Sequence, residues 1–123
     1  MVLPFEWFVN DCLTFTNNSW ELIHQYKYAE DWIGQYKPTM RPATMRKKFG
    51  FKTLEDGLDS KLRRWPALVP PRGALVATKE IGDIRFLGAS LGISVGQSAV
   101  FVSELGITHM PIESIYAAWT INV

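Results

Sequence analysis

The stretch "WPALVPPRG" at 65–73 divides the chain into two halves built on different patterns. Three prolines and a glycine in nine residues end any helix that reaches it, because proline lacks the amide a helix needs and clashes with the preceding turn. Before it, apolar residues recur at helical spacing. After it come short apolar and β-branched runs punctuated by glycine. Helices followed by an antiparallel meander predict an α+β domain, helical over about 10–65 and sheet-forming over about 73–123. With 123 residues, one domain over 1–123 can bury a sufficient core without metals or disulfides.

In the first half, apolar groups at 12, 13, 15, 20, 22, 23 and 26 form a helical stripe, with Asn10 or Asp11 as a natural cap. Asn17 and Asn18 weaken its middle. "KYAEDWIGQY" (27–36) reads as a second helix that stops near Gly34, and "PATMRKKFG" (42–50) as a third that opens on Pro42 and closes at Gly50. A fourth is expected over 53–65, capped by Thr53 and carrying Leu54, Leu58 and Leu62 on one face despite Gly57.

The second half offers strands at 74–78, 84–88, 90–95, 98–104 and 106–112. Gly96-Gln97 is a two-residue connection suited to a hairpin between the third and fourth of these. "PIESIYAAW" (111–119) reads as a short helix, after which "TINV" is expected to close the sheet as an edge strand.

Thirteen basic and twelve acidic residues leave a net charge of +1, which calls for neither nucleic acid nor an anionic membrane. The start "MVLPFEWF" lacks a basic n-region and is not read as a signal peptide, and no apolar run is long enough for a membrane span. Synthesis in a cytoplasm is expected. Five Trp, seven Phe and four Tyr demand either a compact core or a partner surface. Asn17-Asn18-Ser19 has the form of a glycosylation triplet but is read as chance. The basic clusters at 46–48 and 63–64 are read as solvated helix faces beside Glu55, Asp56 and Asp59. No cofactor turn and no metal-ligand spacing is recognisable, since the two histidines stand 85 positions apart and the cysteine is single.

That cysteine, Cys12, sits where a helix is predicted to begin. Unpaired amides and the macrodipole at such a position favour the thiolate, although a nearby Asp11 would oppose this. A lone cysteine is more often an inert buried residue. A thiol nucleophile needs a base within hydrogen-bonding reach, and the chain offers only His24 and His109. In one continuous helix His24 would lie about 18 Å along the axis from Cys12, too far to touch it. His109, in "GITHMPI", is the alternative base.

Taken in order, "NDC" at 10–12 after Trp7, "PPRGALV" at 70–76, "LGISVGQSAVFV" at 91–102 and the closing Pro111, Ile112, Ala118 and Trp119 resemble the NlpC-type cysteine peptidases, above all their short relatives encoded among phage tail genes. The likeness covers most of residues 5–121. It implies a small papain-like α+β domain whose nucleophile matches Cys12. The general base of active members is a histidine opening the second strand. Here Ser90 stands at that position, and the third polar position corresponds to about Val102. Serine cannot take the thiol proton near neutral pH, and valine cannot orient a base.

The resemblance therefore implies a pseudo-peptidase: a structural or docking component of a phage tail, at the tip or hub, resident in the virion. Its partners would be other tail proteins such as hub, distal-tail or tape-measure neighbours, docked on an aromatic-rich surface. Two alternatives stand beside it. One is an active cell-wall peptidase or amidase that uses Cys12 with His109 or a base from a neighbouring subunit. The other is a module that binds peptidoglycan peptide without cutting it.

Overall fold

The computed structural model describes residues 12–33, 35, 42–66, 69–80, 90–103 and 106–121, with the side chains of 12, 42, 45, 46, 103 and 106 left out of the description. The chain forms an α+β domain. Helices α1 (Cys12–His24), α2 (Pro42–Phe49) and α3 (Leu54–Asp59) precede strands β1 (Arg63–Arg64), β2 (Leu75–Thr78), β3 (Ser90–Ser94), β4 (Ser98–Ser103), β5 (Gly106–Pro111) and β6 (Ala117–Thr120). Every neighbouring pair is antiparallel, in the order β1-β6-β2-β3-β4-β5. The expected strand at 84–88 lies outside the described residues.

Both faces of the sheet are covered. Leu75, Ala77, Leu91, Ile93, Ala117 and Trp119 pack on one face against Leu13 and Trp20 of α1 and Leu54, Leu58 and Leu62 of the α3 region. Val76, Ala99, Phe101 and Ala118 form the core of the other face, with Trp65, Met110 and Ile115 over them. This two-sided burial follows from the period-2 alternation of the strands. Gly92 is required by packing: a Cβ there would lie 2.6 Å from the Phe101 ring and 2.5 Å from the Val100 carbonyl. The β3–β4 hairpin turns at Gly96-Gln97 as expected, with Ser94 opposite Ala99.

α1 is continuous, and its buried stripe is Leu13, Thr16, Asn17 and Trp20, spaced as one helical face. The two polar members of that stripe hold the next segment. Asn17 Oδ1 accepts from the Ala29 amide at 2.9 Å, and Asn17 Nδ2 donates to Glu30 at 3.2 Å. Thr16 shares a 2.7 Å hydrogen bond with the Tyr28 hydroxyl. This overturns the helix expected over 27–36: among the described residues the segment is a pair of turns in which the amides of Trp32 and Ile33 both reach the Ala29 carbonyl. A side chain from α1 accepts from the Ala29 amide and ties the segment to the helix.

α3 starts where expected, since Thr53 Oγ1 accepts from the Asp56 amide at 3.1 Å. Gly57 admits the Phe51 ring, which a Cβ would meet at 2.6 Å. The helix is shorter than the 53–65 expected. The chain keeps Leu62 buried through a last turn onto the Leu58 carbonyl, then releases Arg63 and Arg64 to pair with Thr120 and Trp119. The arginine pair is thus an edge strand, not a helix face.

The C-terminal region also differs from expectation. Instead of a helix over 111–119, a single 3-10 turn, Ile112–Ser114, leads into β6. β6 lies inside the sheet between β1 and β2, and not at its edge. Ala117 and Trp119 face one core and Ala118 the other, so burial on both sides outweighs alanine's helical preference.

Candidate functional site

The C-terminal end of α1 is anchored. His24 Nε2 lies 2.9 Å from the Gly73 carbonyl, and a carbonyl only accepts, so Nε2 carries the proton. The His24 ring also packs on Trp20, with centroids 4.0 Å apart. The Gly73 amide in turn donates to the Ser94 carbonyl at 2.8 Å. His24 therefore marks the Ser94 end of β3. From there α1 runs back along β3 and β4, and Leu13 near its start shares a core with Leu91. The first turn of α1, opened by Cys12, and the first residue of β3, Ser90, consequently lie toward the same end of the helix–sheet pair. The Cys12 side chain itself is outside the description.

Ser90 is 3% exposed and buried, but strand alternation sets it apart from α1. Leu91 and Ile93 face the helix, so Ser90 shares the opposite face with Gly92 and Ser94. Its register partner on β2 is Thr78, whose hydroxyl donates to the Ser114 carbonyl at 2.8 Å. Val102 points the other way. Phe101 covers Gly92, so Val102 belongs to the α1 face. The structure does not bring Ser90 and Val102 together; they occupy opposite sides of the sheet.

Neither histidine reaches the Cys12 end. His24 is at the far end of the same continuous helix, about 18 Å along its axis. His109 lies exposed on β5, the outermost strand of the described sheet, directly opposite Val100, which is itself opposite Ile93. That places it two strands, about 10 Å, to the side of β3 and about 10 Å along the strand direction from the level of Ser90.

The end of the molecule beyond His24 has a different character. Leu22 is 87% exposed, and Ile23, Tyr26 and Val95 also present apolar surface to solvent. Gln25 closes the helix at φ 68°, a left-handed conformation normally given to glycine. The described tryptophans do not supply such a surface: Trp20, Trp32 and Trp119 are core residues, while Trp65 is half-buried and donates its indole N–H to the Val69 carbonyl at 3.0 Å. The Trp7 position lies outside the described residues.

One polar constellation escaped sequence reasoning. Asp59 receives two hydrogen bonds from Arg64, each 2.9 Å, and a third from the Trp119 indole at 2.8 Å. Burial alone would raise the Asp59 pKa, yet these bonds and the Arg64 charge outweigh it and hold the carboxyl below its ordinary value. The Arg64 guanidinium also sits over the Trp119 ring, 5.0 Å from its centroid. Beside it, Tyr116 donates to Glu55, and Lys79 lies over the Tyr116 ring. Burial and the Glu55 carboxylate together push the Tyr116 hydroxyl pKa upward. The six side chains tie α3 to β6 and to the edge strand β1. A carboxylate five residues before an arginine is the available signal, but the helix expected over 53–65 would carry Arg64, which instead pairs in β1.

A family model spans residues 1–121 of the chain. The chain belongs to the DUF6950 family, a domain of unknown function. No curated protein and no solved structure matches it. Among the described residues of this DUF6950 domain, no helix is long and apolar enough to cross a membrane.

Proposed function

We propose that this DUF6950 domain is a non-catalytic docking component of a phage tail, at the tip or hub, built on a scaffold of the NlpC-type kind. One observation carries the non-catalytic half of this reading. The end of α1 opened by Cys12 has no described histidine near it, and Ser90 is turned to the other face of the sheet. A thiol there has no described histidine to accept its proton. Support for docking comes from the opposite end, where Leu22, Ile23, Tyr26 and Val95 leave apolar surface uncovered. The tail assignment rests on the sequence resemblance alone, with hub, distal-tail and tape-measure proteins as the partner class.

Purified particles of the encoding phage test the reading. The chain is expected among the virion proteins, with its Leu22–Tyr26 end against a neighbour, and Leu22→Asp is expected to lower its incorporation while the isolated domain still folds. Particles that lack the chain, or that incorporate Leu22→Asp normally, would count against it.

A further inference from the structure

A second site lies away from both ends of α1. Between the turn at 31–33, the α2–α3 connection and α3 there is an open cleft of about 390 Å³, within the size range of small-ligand sites. One wall is aromatic. The Trp32 ring packs on Phe49 and Phe51 with centroids 5.7 and 5.3 Å away, and the two phenylalanine rings stand 6.2 Å apart at 16°. Phe49 and Phe51 are only partly buried and line the cleft. This wall offers flat apolar surface to one side of a ligand.

The rest of the lining is polar and balanced. Asp31 and Lys61 form a 2.6 Å ion pair, and the Lys61 ammonium also lies 4.8 Å from the Trp32 centroid. Exposed Asp56 and Lys52 complete the rim. Two carboxylates against two ammonium groups leave no net field to select an anion or a cation. They do supply both acceptors and donors beside an apolar wall. The matching ligand is neutral, carries many hydroxyl or amide groups, and has one apolar face.

We propose that this cleft binds a neutral saccharide, its C–H face against Phe49 and Phe51 and its hydroxyl or acetamido groups on Asp56 and Lys52. The Asp31–Lys61 pair fixes the rim and needs no rearrangement to admit the sugar. This site is independent of the docking reading, since it uses none of the same residues.

Amide-resolved NMR titration of the whole chain with triacetylchitotriose, and separately with maltotriose, tests the proposal. Saturable shifts at Trp32, Phe49–Lys52, Asp56 and Lys61 with either sugar are expected. Asp56→Ala and Lys52→Ala, both at exposed positions, are each expected to raise the half-saturation concentration about tenfold with the remaining spectrum unchanged. No shift from either sugar up to tens of millimolar would overturn the proposal. So would shifts centred elsewhere, or an affinity that both variants leave unaltered.

Discussion

At its C-terminal end α1 is held by specific contacts: His24 to the Gly73 carbonyl, and, one turn back, buried Trp20 packed at a tilt against the His24 ring. At its N-terminal end the helix opens on Cys12, with no described histidine near that end. The same helix thus carries a histidine used as a structural clip and a cysteine at a position that favours a thiolate. About 18 Å of helix keeps them apart. A helix N-terminus can lower a thiol pKa, but it cannot receive the proton, so the position alone does not make a nucleophile. The contrast shows that chemically suggestive residues are sorted by the element that carries them.

The contrast can be broken by removing what anchors α1. Trp20→Ala deletes a fully buried indole shared by helix and sheet, and is expected to lower unfolding stability by about 3–5 kcal/mol in urea melts. A loss below about 1 kcal/mol would mean that α1 is not anchored through this residue. Asn17→Ala leaves the buried Ala29 amide without its acceptor, and a loss of about 2 kcal/mol is expected. Hydrogen exchange should then show the 28–33 turns opening while β3 stays protected.

Two smaller effects sharpen it. Gln25→Gly should stabilise the domain by roughly 1 kcal/mol by relieving the left-handed residue that ends α1; a destabilised variant would show that the Gln25 side chain matters more than its backbone. The smallest effect concerns pH. The Asp59 pKa is depressed in the fold, so its contribution is present above the ordinary value of 3.8 and is lost as pH falls through the lower folded value. Asp59→Asn should flatten the acid limb of the stability profile by lowering its neutral part slightly toward an unchanged acid end, a small effect because the Arg64 pair is partly solvent-exposed. An unchanged acid limb would assign that limb to other carboxyls.

Much of the fold was legible from local signals. Thr53 caps α3, Leu54, Leu58 and Leu62 are all buried, and Gly96-Gln97 turns the hairpin. What was not legible depended on partners distant in sequence. The 27–36 segment has helical composition, yet among the described residues it forms turns tied to α1 through Asn17 and Thr16. "AAW" has good helix formers, yet burial between two cores makes it a strand. Arg63 and Arg64 left the expected helix because β6 offers them a pairing edge.

The site was legible in a subtler way. Ser90 shares strand parity with Gly92 and Ser94, and the hairpin register that sets Ser94 opposite Ala99 places Val102 on the other face from Ser90. Both facts follow from "SLGISVGQSAVFV" once the turn is recognised. The end-to-end distance between Cys12 and His24 was likewise readable. The offset of His109 was not, since it required knowing that β5 is the outermost strand of the described order.

The central claim is that neither histidine lies near the end of α1 that Cys12 opens. Incubation of the purified domain with muropeptides, followed by chromatographic product analysis, tests it directly, with Cys12→Ala alongside. The wild-type chain and the variant should both leave the substrate intact across neutral pH. Cleavage by the wild-type chain that disappears in Cys12→Ala would contradict the account.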